Sequence, residues 1–245
     1  MNLFRHVADF ATFFFRSILI PWHLGTTGPR ILAQIYDIGF GSLPIIIVIS
    51  AFLGLVSTVQ LSYQLLGIIP RYFLGAAVGR MVLIELGPIL TALMVSGRSA
   101  SSMSAEVGTM RVTEQIDALE IMAIDPYRFL CFPRIVGTFI SLPLLTVIAE
   151  FVAIFFGALY AHIFLDVPFN VFNYGLIHNF YRRDLFGGLL KSLLFSLVIA
   201  TSGCYFGFRV KGGAREVGMS TTYAVVTSCI LILVLDFIVA LVVFE

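Results

Sequence analysis

The stretch Gly97-Arg98-Ser99-Ala100-Ser101-Ser102-Met103-Ser104-Ala105-Glu106-Val107-Gly108-Thr109-Met110-Arg111-Val112-Thr113-Glu114-Gln115-Ile116-Asp117-Ala118-Leu119-Glu120 is an extended polar run in an otherwise apolar chain. Hydrophobic runs long enough to cross a bilayer flank it on both sides, which places it at a water-facing surface. Its second half predicts a short helix over about 113–124, with Thr113 as cap, Glu114 and Asp117 where the helix dipole favours negative charge, and Pro126 as the far limit. At helical spacing Ile116, Leu119, Met122 and Ala123 share one side, and Glu114, Asp117, Glu120 and Asp125 the other. Carboxylates are repelled by anionic headgroups, so an acidic amphipathic helix at a membrane suits a protein partner. A solvated loop helix without a partner has the same pattern.

Composition supports the membrane reading. Of 245 residues, 59% are hydrophobic and 12% charged, against about 25% charged in soluble domains. The net charge is +1 and no basic run with interleaved aromatics occurs, which argues against nucleic acid as a partner. Cys131, Cys204 and Cys229 lack metal-ligand spacing and read as small packing residues. No Gly-x-x-x-x-Gly-Lys-Ser/Thr motif is present, so if ATP powers this protein, another chain binds it.

Taken in order, Leu3 to Ile20 predict an amphipathic helix lying in the interface, because Asp9 and Arg16 interrupt what would otherwise be the apolar core of a signal peptide. Pro21 ends it, Gly25 to Gly28 form a turn, and Pro29 opens a second short elbow helix. Residues 1–42 are thus interfacial and elbow helices, and 43–245 a transmembrane domain with helices over about 43–66, 78–96, 135–164, 185–208 and 223–244. The fold class is an all-α integral membrane protein. Gly54, Ser57 and Ser62 admit a close neighbour, and so does the Ser96 to Ala105 run, which reads as packing and not as a catalytic serine cluster. Pro88 opens the second span, Pro143 kinks the third, and Asp166 to Asp184 form a polar loop.

Orientation follows the cations. With the amino terminus cytoplasmic, that side holds Arg5, Arg16, Arg30, Arg98, Arg111, Arg128, Arg134, Arg209, Lys211 and Arg215, ten of the fifteen. Within the spans, Glu85, Glu150, Lys191 and Asp236 stand out, since a mid-membrane charge costs about 2.5–3.5 kcal/mol on insertion scales and usually marks a pathway or a partner. Pairing that fixes helix register is the structural alternative.

Together, Glu85-Leu86-Gly87-Pro88, Gly97-Arg98, the run from Ala105 to Leu119, Asp125-Pro126, Pro133-Arg134 and Ser141-Leu142-Pro143-Leu144-Leu145 resemble the MlaE (YrbE) family of lipid-transport permeases. The resemblance covers the chain from about Pro44 onward; the first forty residues match in character only. It implies the membrane subunit of an ABC transporter in a bacterial inner membrane. The acidic segment would then be a coupling helix, meeting a cytoplasmic ATPase through Glu114, Gln115, Asp117, Leu119 and Glu120. Glu85, Lys191 and Asp236 would border a lipid cavity. The resemblance further implies a homodimer, phospholipid as cargo and a periplasmic MCE-type lipid-binding protein, with no cofactor or metal in this chain. One position departs from the family pattern: Ile84 stands where members often carry Arg, and Lys191 is the obvious substitute for a phosphate contact.

Two other classes compete. An intramembrane hydrolase needs a nucleophile with a base or a metal cluster, and His6, His23, His162 and His178 fall at span ends or in loops without paired spacing. An ion-coupled secondary transporter would use Glu85 and Asp236 as ion sites, but such folds commonly carry internal repeats and none is evident.

Overall fold

A computed structural model describes residues 9–10, 12–17, 24–65 and 70–244. Residues 9–10 and 12–17 are helical, within the expected interfacial helix; residues 1–8, 11 and 18–23, with Pro21, lie outside the described residues, as do 66–69 of the expected turn before Arg71. Among the described residues all regular structure is helical, and five helices are long and apolar enough to cross a membrane.

The first, α1 (Leu24–Leu65), is a single helix of 42 residues. The expected break into an elbow helix and a span at residue 43 is absent, and so is the turn at Gly25 to Gly28, which belongs to the first turn of α1. Pro29 is the sixth residue of the helix, so it forgoes a single bond to the carbonyl four residues back, and the helix continues through it. A second run comprises α2 (Phe73–Met81), a π-helical turn π1 (Val82–Leu86), α3 (Gly87–Val95), a second π-turn π2 (Ser96–Ala100) and α4 (Ser101–Val112). It starts earlier and ends later than the predicted 78–96. The short α5 (Gln115–Ile121) follows, then π3 (Tyr127–Cys131) leading into α6 (Phe132–Phe164), which contains Pro143. The expected polar loop holds a helix, α7 (Phe169–His178), whose buried Phe172 is the anchor that sequence reading overlooked. Finally α8 (Arg182–Phe208) and α9 (Ala214–Phe244) cover the fourth and fifth expected spans, α9 beginning well before residue 223.

The chain forms two compact units, each drawing segments from the same long helices. One contains residues 1–41, 92–142 and 193–235. Its core around α5 is Val107, Ile116 and Leu130, with Met110, Leu119, Phe129 and Phe208 packed on. The small-residue run works there as predicted: Ser96 Oγ lies 2.5 Å from Ser228 Oγ, and Ser104 Oγ 3.1 Å from Ser220 Oγ, so hydroxyls replace bulk where helices meet.

The other unit contains residues 42–91, 143–192 and 236–245. Leu74, Val78, Val82, Ala153, Ala158, Ala161, Val167 and Phe172 form its core. Gly54 permits contact between α1 and α6, since a Cβ there would run into the Ala153 carbonyl oxygen. On both units large apolar side chains remain exposed along α1 and α9, among them Phe52 and Phe237, as expected of helices that meet lipid or a second subunit.

Candidate functional site

A charged cluster forms inside the second unit. Pro88 has no N–H to offer the carbonyl one turn earlier, and the Gly87 N–H bonds instead to the Val82 carbonyl, five residues back. This widened turn is π1, and it carries Glu85. Helix α8 comes close to it because residue 188 is glycine; any Cβ there would clash with the Leu83 carbonyl oxygen. Three residues further along α8 is Lys191. Its ammonium lies 2.8 Å from Glu85 Oε1 and 2.8 Å from Asp236 Oδ1 of α9. The three sequence-predicted residues therefore meet at one point, although they come from three separate spans.

Their exposures differ in a way that bears on function. The Lys191 side chain is fully buried, Asp236 is 16% exposed and Glu85 is 39% exposed. Two carboxylates and one ammonium leave a local formal charge of −1. In a low-dielectric setting a buried lysine needs such partners, and Lys191 is committed to carboxylates in this arrangement and is not open to an incoming phosphate. The idea that it simply replaces the family's usual arginine at position 84 therefore needs the cluster to open first.

Glu150, the fourth mid-span charge, does not join the ion pairs among the described residues. It is buried against Gly87, whose Cβ position lies 2.7 Å from Glu150 Cγ, and its Oε1 has no hydrogen-bond partner among the described residues. A second ion pair in this unit escaped sequence reading: Arg80 Nε is 3.1 Å from Asp184 Oδ2, with the guanidinium 4.6 Å from the Tyr181 ring centroid.

In the first unit, the segment after α4 differs in detail from the predicted helix. Thr113 closes α4 instead of capping α5, its hydroxyl donating to the Thr109 carbonyl at 2.9 Å. Glu114 then takes a left-handed conformation, φ 59°, which turns the chain before α5 begins at Gln115. The helix ends at Ile121, short of the expected residue 124, because Ala123 also has a positive φ of 57°. That ending moves Met122 off the apolar side, leaving it 60% exposed beside Ile121 at 86%.

The five residues assigned to partner contact separate accordingly. Glu114, Gln115 and Glu120 are exposed. Asp117 is half-buried and paired to Arg111 Nη1 at 2.5 Å, and Leu119 is half-buried against the core under Ile116. Helix α5 is therefore fixed by Ile116, Leu119 and Asp117 and presents Glu114, Gln115, Glu120, Ile121 and Met122 to the outside.

The family described as permease MlaE matches residues 31–242. A Pyropia yezoensis protein named "Probable ABC transporter permease protein ycf63" is 32% identical over 95% of this chain and 88% of its own length. A "Probable ABC transporter permease protein" of Rickettsia felis is 36% identical over 85% of this chain and 81% of its own. The Synechocystis "Probable ABC transporter permease protein slr1045" is 35% identical over 87% and 81%.

Proposed function

The chain belongs to the MlaE permease family and is a multi-pass membrane permease of the ABC transporter type, and from that premise we propose that it moves phospholipid or a related lipid, driven by a separate cytoplasmic ATPase. Two copies would form the permease, each presenting one α5 to one ATPase subunit, with an MCE-type lipid-binding protein exchanging cargo on the opposite side of the membrane. A two-fold dimer is the commonest oligomer and would pair two equivalent helices with two nucleotide-binding subunits. The proposed setting is a bacterial inner membrane, and the excess of cations favours an orientation with the amino terminus inside.

The observation that carries this reading is α5 itself. A short helix whose inner face is anchored by Ile116 and by the Arg111–Asp117 pair, and whose outer face is acidic with an apolar tip, transmits a push without deforming. The second element is the Lys191 cluster, which would sit at the border of the lipid cavity. Arrival of a headgroup phosphate would exchange one carboxylate on Lys191 for the ligand, and the half-exposed Glu85 is the one most readily displaced.

Copurification tests the coupling role. Charge reversal at Glu114 and Glu120 together, both exposed and free of the Arg111 pair, should abolish retention of the ATPase while membrane insertion stays normal. Full retention would remove α5 as the docking element. Lipid transport that persists with an inactive ATPase but collapses with the ion gradient would turn the reading toward an ion-coupled carrier.

A further inference from the structure

Away from the Lys191 cluster, the first unit holds a cavity of about 400 Å³ walled by Asp9 and the helical residues 12–16, the end of α4, α5, Tyr127 and the end of α8. We propose that this cavity binds the phosphate group of an anionic ligand, either a phospholipid headgroup from the adjoining leaflet or free phosphate.

Its lining carries three guanidiniums, Arg16, Arg111 and Arg209, against the two carboxylates of Asp9 and Glu120, so the charge of the wall is +1. Arg209 pairs with Asp9 at 2.7 Å and Arg111 with Asp117 at 2.5 Å. A guanidinium has five N–H donors, and the ion pair of Arg111 with Asp117 leaves donors on Arg111 for a second acceptor. Arg16 has no carboxylate partner among the described residues; its guanidinium rests 4.4 Å above the Tyr127 ring, which fixes the plane of its donor fork. Tyr127 is itself held by stacking on Phe208 and by an edge contact with Phe13.

The second observation is Tyr205. It is 95% buried, lines the same cavity, and its hydroxyl has no hydrogen-bond partner among the described residues. A buried hydroxyl left unbonded costs free energy that an arriving acceptor recovers. Arginine forks and a phenol together form a set of donors, which suits a ligand whose oxygens only accept. A metal cation is excluded by the same three guanidiniums.

Two features explain why a lipid could supply the phosphate. Phe10, Phe14 and Phe15 line an apolar groove of about 280 Å³ that Leu194, Leu197 and Val198 complete, a trough suited to acyl chain beside the polar cavity. The phosphate would also bridge this helix to Arg111, whose other partner is Asp117 of α5. Occupancy would thereby tie the membrane-surface helix to the base of α5, a regulatory role separate from the cargo site. None of the residues changed in the test below belongs to the Lys191 cluster or to the exposed face of α5, so failure here leaves the transport reading standing.

Hydrogen exchange over residues 9–17 of the full chain in nanodiscs provides the test. Three conditions are compared: phosphatidylcholine alone, phosphatidylcholine with inorganic phosphate, and phosphatidylcholine mixed with phosphatidylglycerol. A ligand bound here slows exchange of that segment by at least about fivefold. Arg16→Gln should abolish the slowing, Tyr205→Phe should reduce it, and Arg30→Gln, a charge outside the cavity, should leave it intact. Slowing by inorganic phosphate alone identifies a soluble phosphate as sufficient; slowing only with phosphatidylglycerol identifies the headgroup. If neither ligand slows exchange, the proposal fails. If Arg30→Gln weakens the effect as much as Arg16→Gln while Tyr205→Phe changes nothing, general surface attraction explains the data and the site is refuted.

Discussion

Two ion-paired regions of this permease use the same chemistry in opposite settings. At the root of α5, Arg111 and Asp117 are 38% and 48% exposed, and water screens both partners. In the other unit Lys191 is wholly buried between Glu85 and Asp236. An exposed pair contributes at most about 1 kcal/mol, because each ion is nearly as well solvated alone. A buried ion has no such alternative, so losing one partner costs far more than the pair ever contributed. Exposure therefore separates a contact that orients a helix from one on which the packing of three spans depends.

The largest effect should come from Lys191→Met. It leaves Glu85 and Asp236 facing each other without the cation, and we expect a loss of about 3–5 kcal/mol in stability, read from thermal unfolding in detergent. Neutralising all three positions together, Glu85→Gln, Lys191→Met and Asp236→Asn, should restore stability to within about 1 kcal/mol of the parent while leaving transport absent. That combination separates the structural cost from the functional one. A single Lys191→Met as stable as the parent would erase the contrast between the regions.

An intermediate effect should follow Gly188→Ala. The obstacle is the Leu83 carbonyl oxygen, a backbone atom that cannot rotate aside as a side chain would. Separating α8 from π1 should cost about 1–3 kcal/mol, as overpacking generally does, and would also lengthen the reach from Lys191 to Glu85. Transport should fall more steeply than stability. Equal losses in the two would mean that the cluster tolerates a wider gap than its 2.8 Å ion pairs imply.

How far these features could be read in advance depended on whether hydropathy or geometry determined them. The five spans were legible because each is a long, mostly apolar run, and Glu85, Lys191 and Asp236 stood out as charges within such runs. Their meeting point was not legible, because it depends on a π-turn before Pro88 and on a glycine in a distant helix. Helix ends were misread where a helix continues past its apolar portion, as α1 does back to Leu24 and α9 to Ala214. The left-handed Glu114 carries no sequence mark, since a glycine or asparagine would be the usual occupant. In α7 the repeat of Phe169 and Phe172 was a usable signal, hidden among polar neighbours.

The smallest effect should be at the root of α5. A double-mutant cycle on Arg111→Met and Asp117→Asn should give a coupling of about 0.2–1 kcal/mol, since both groups remain solvated when unpaired. The coupling should shrink further in molar salt, where the screening length falls to about 3 Å, whereas the Lys191→Met penalty should not respond. Ile116, which is buried, would still hold the helix after the pair is gone, so ATPase retention should drop only modestly. A coupling above about 2 kcal/mol, insensitive to salt, would mean that water does not reach the Arg111–Asp117 pair in the assembled transporter, and α5 would then be locked in place by the same physics as the membrane cluster.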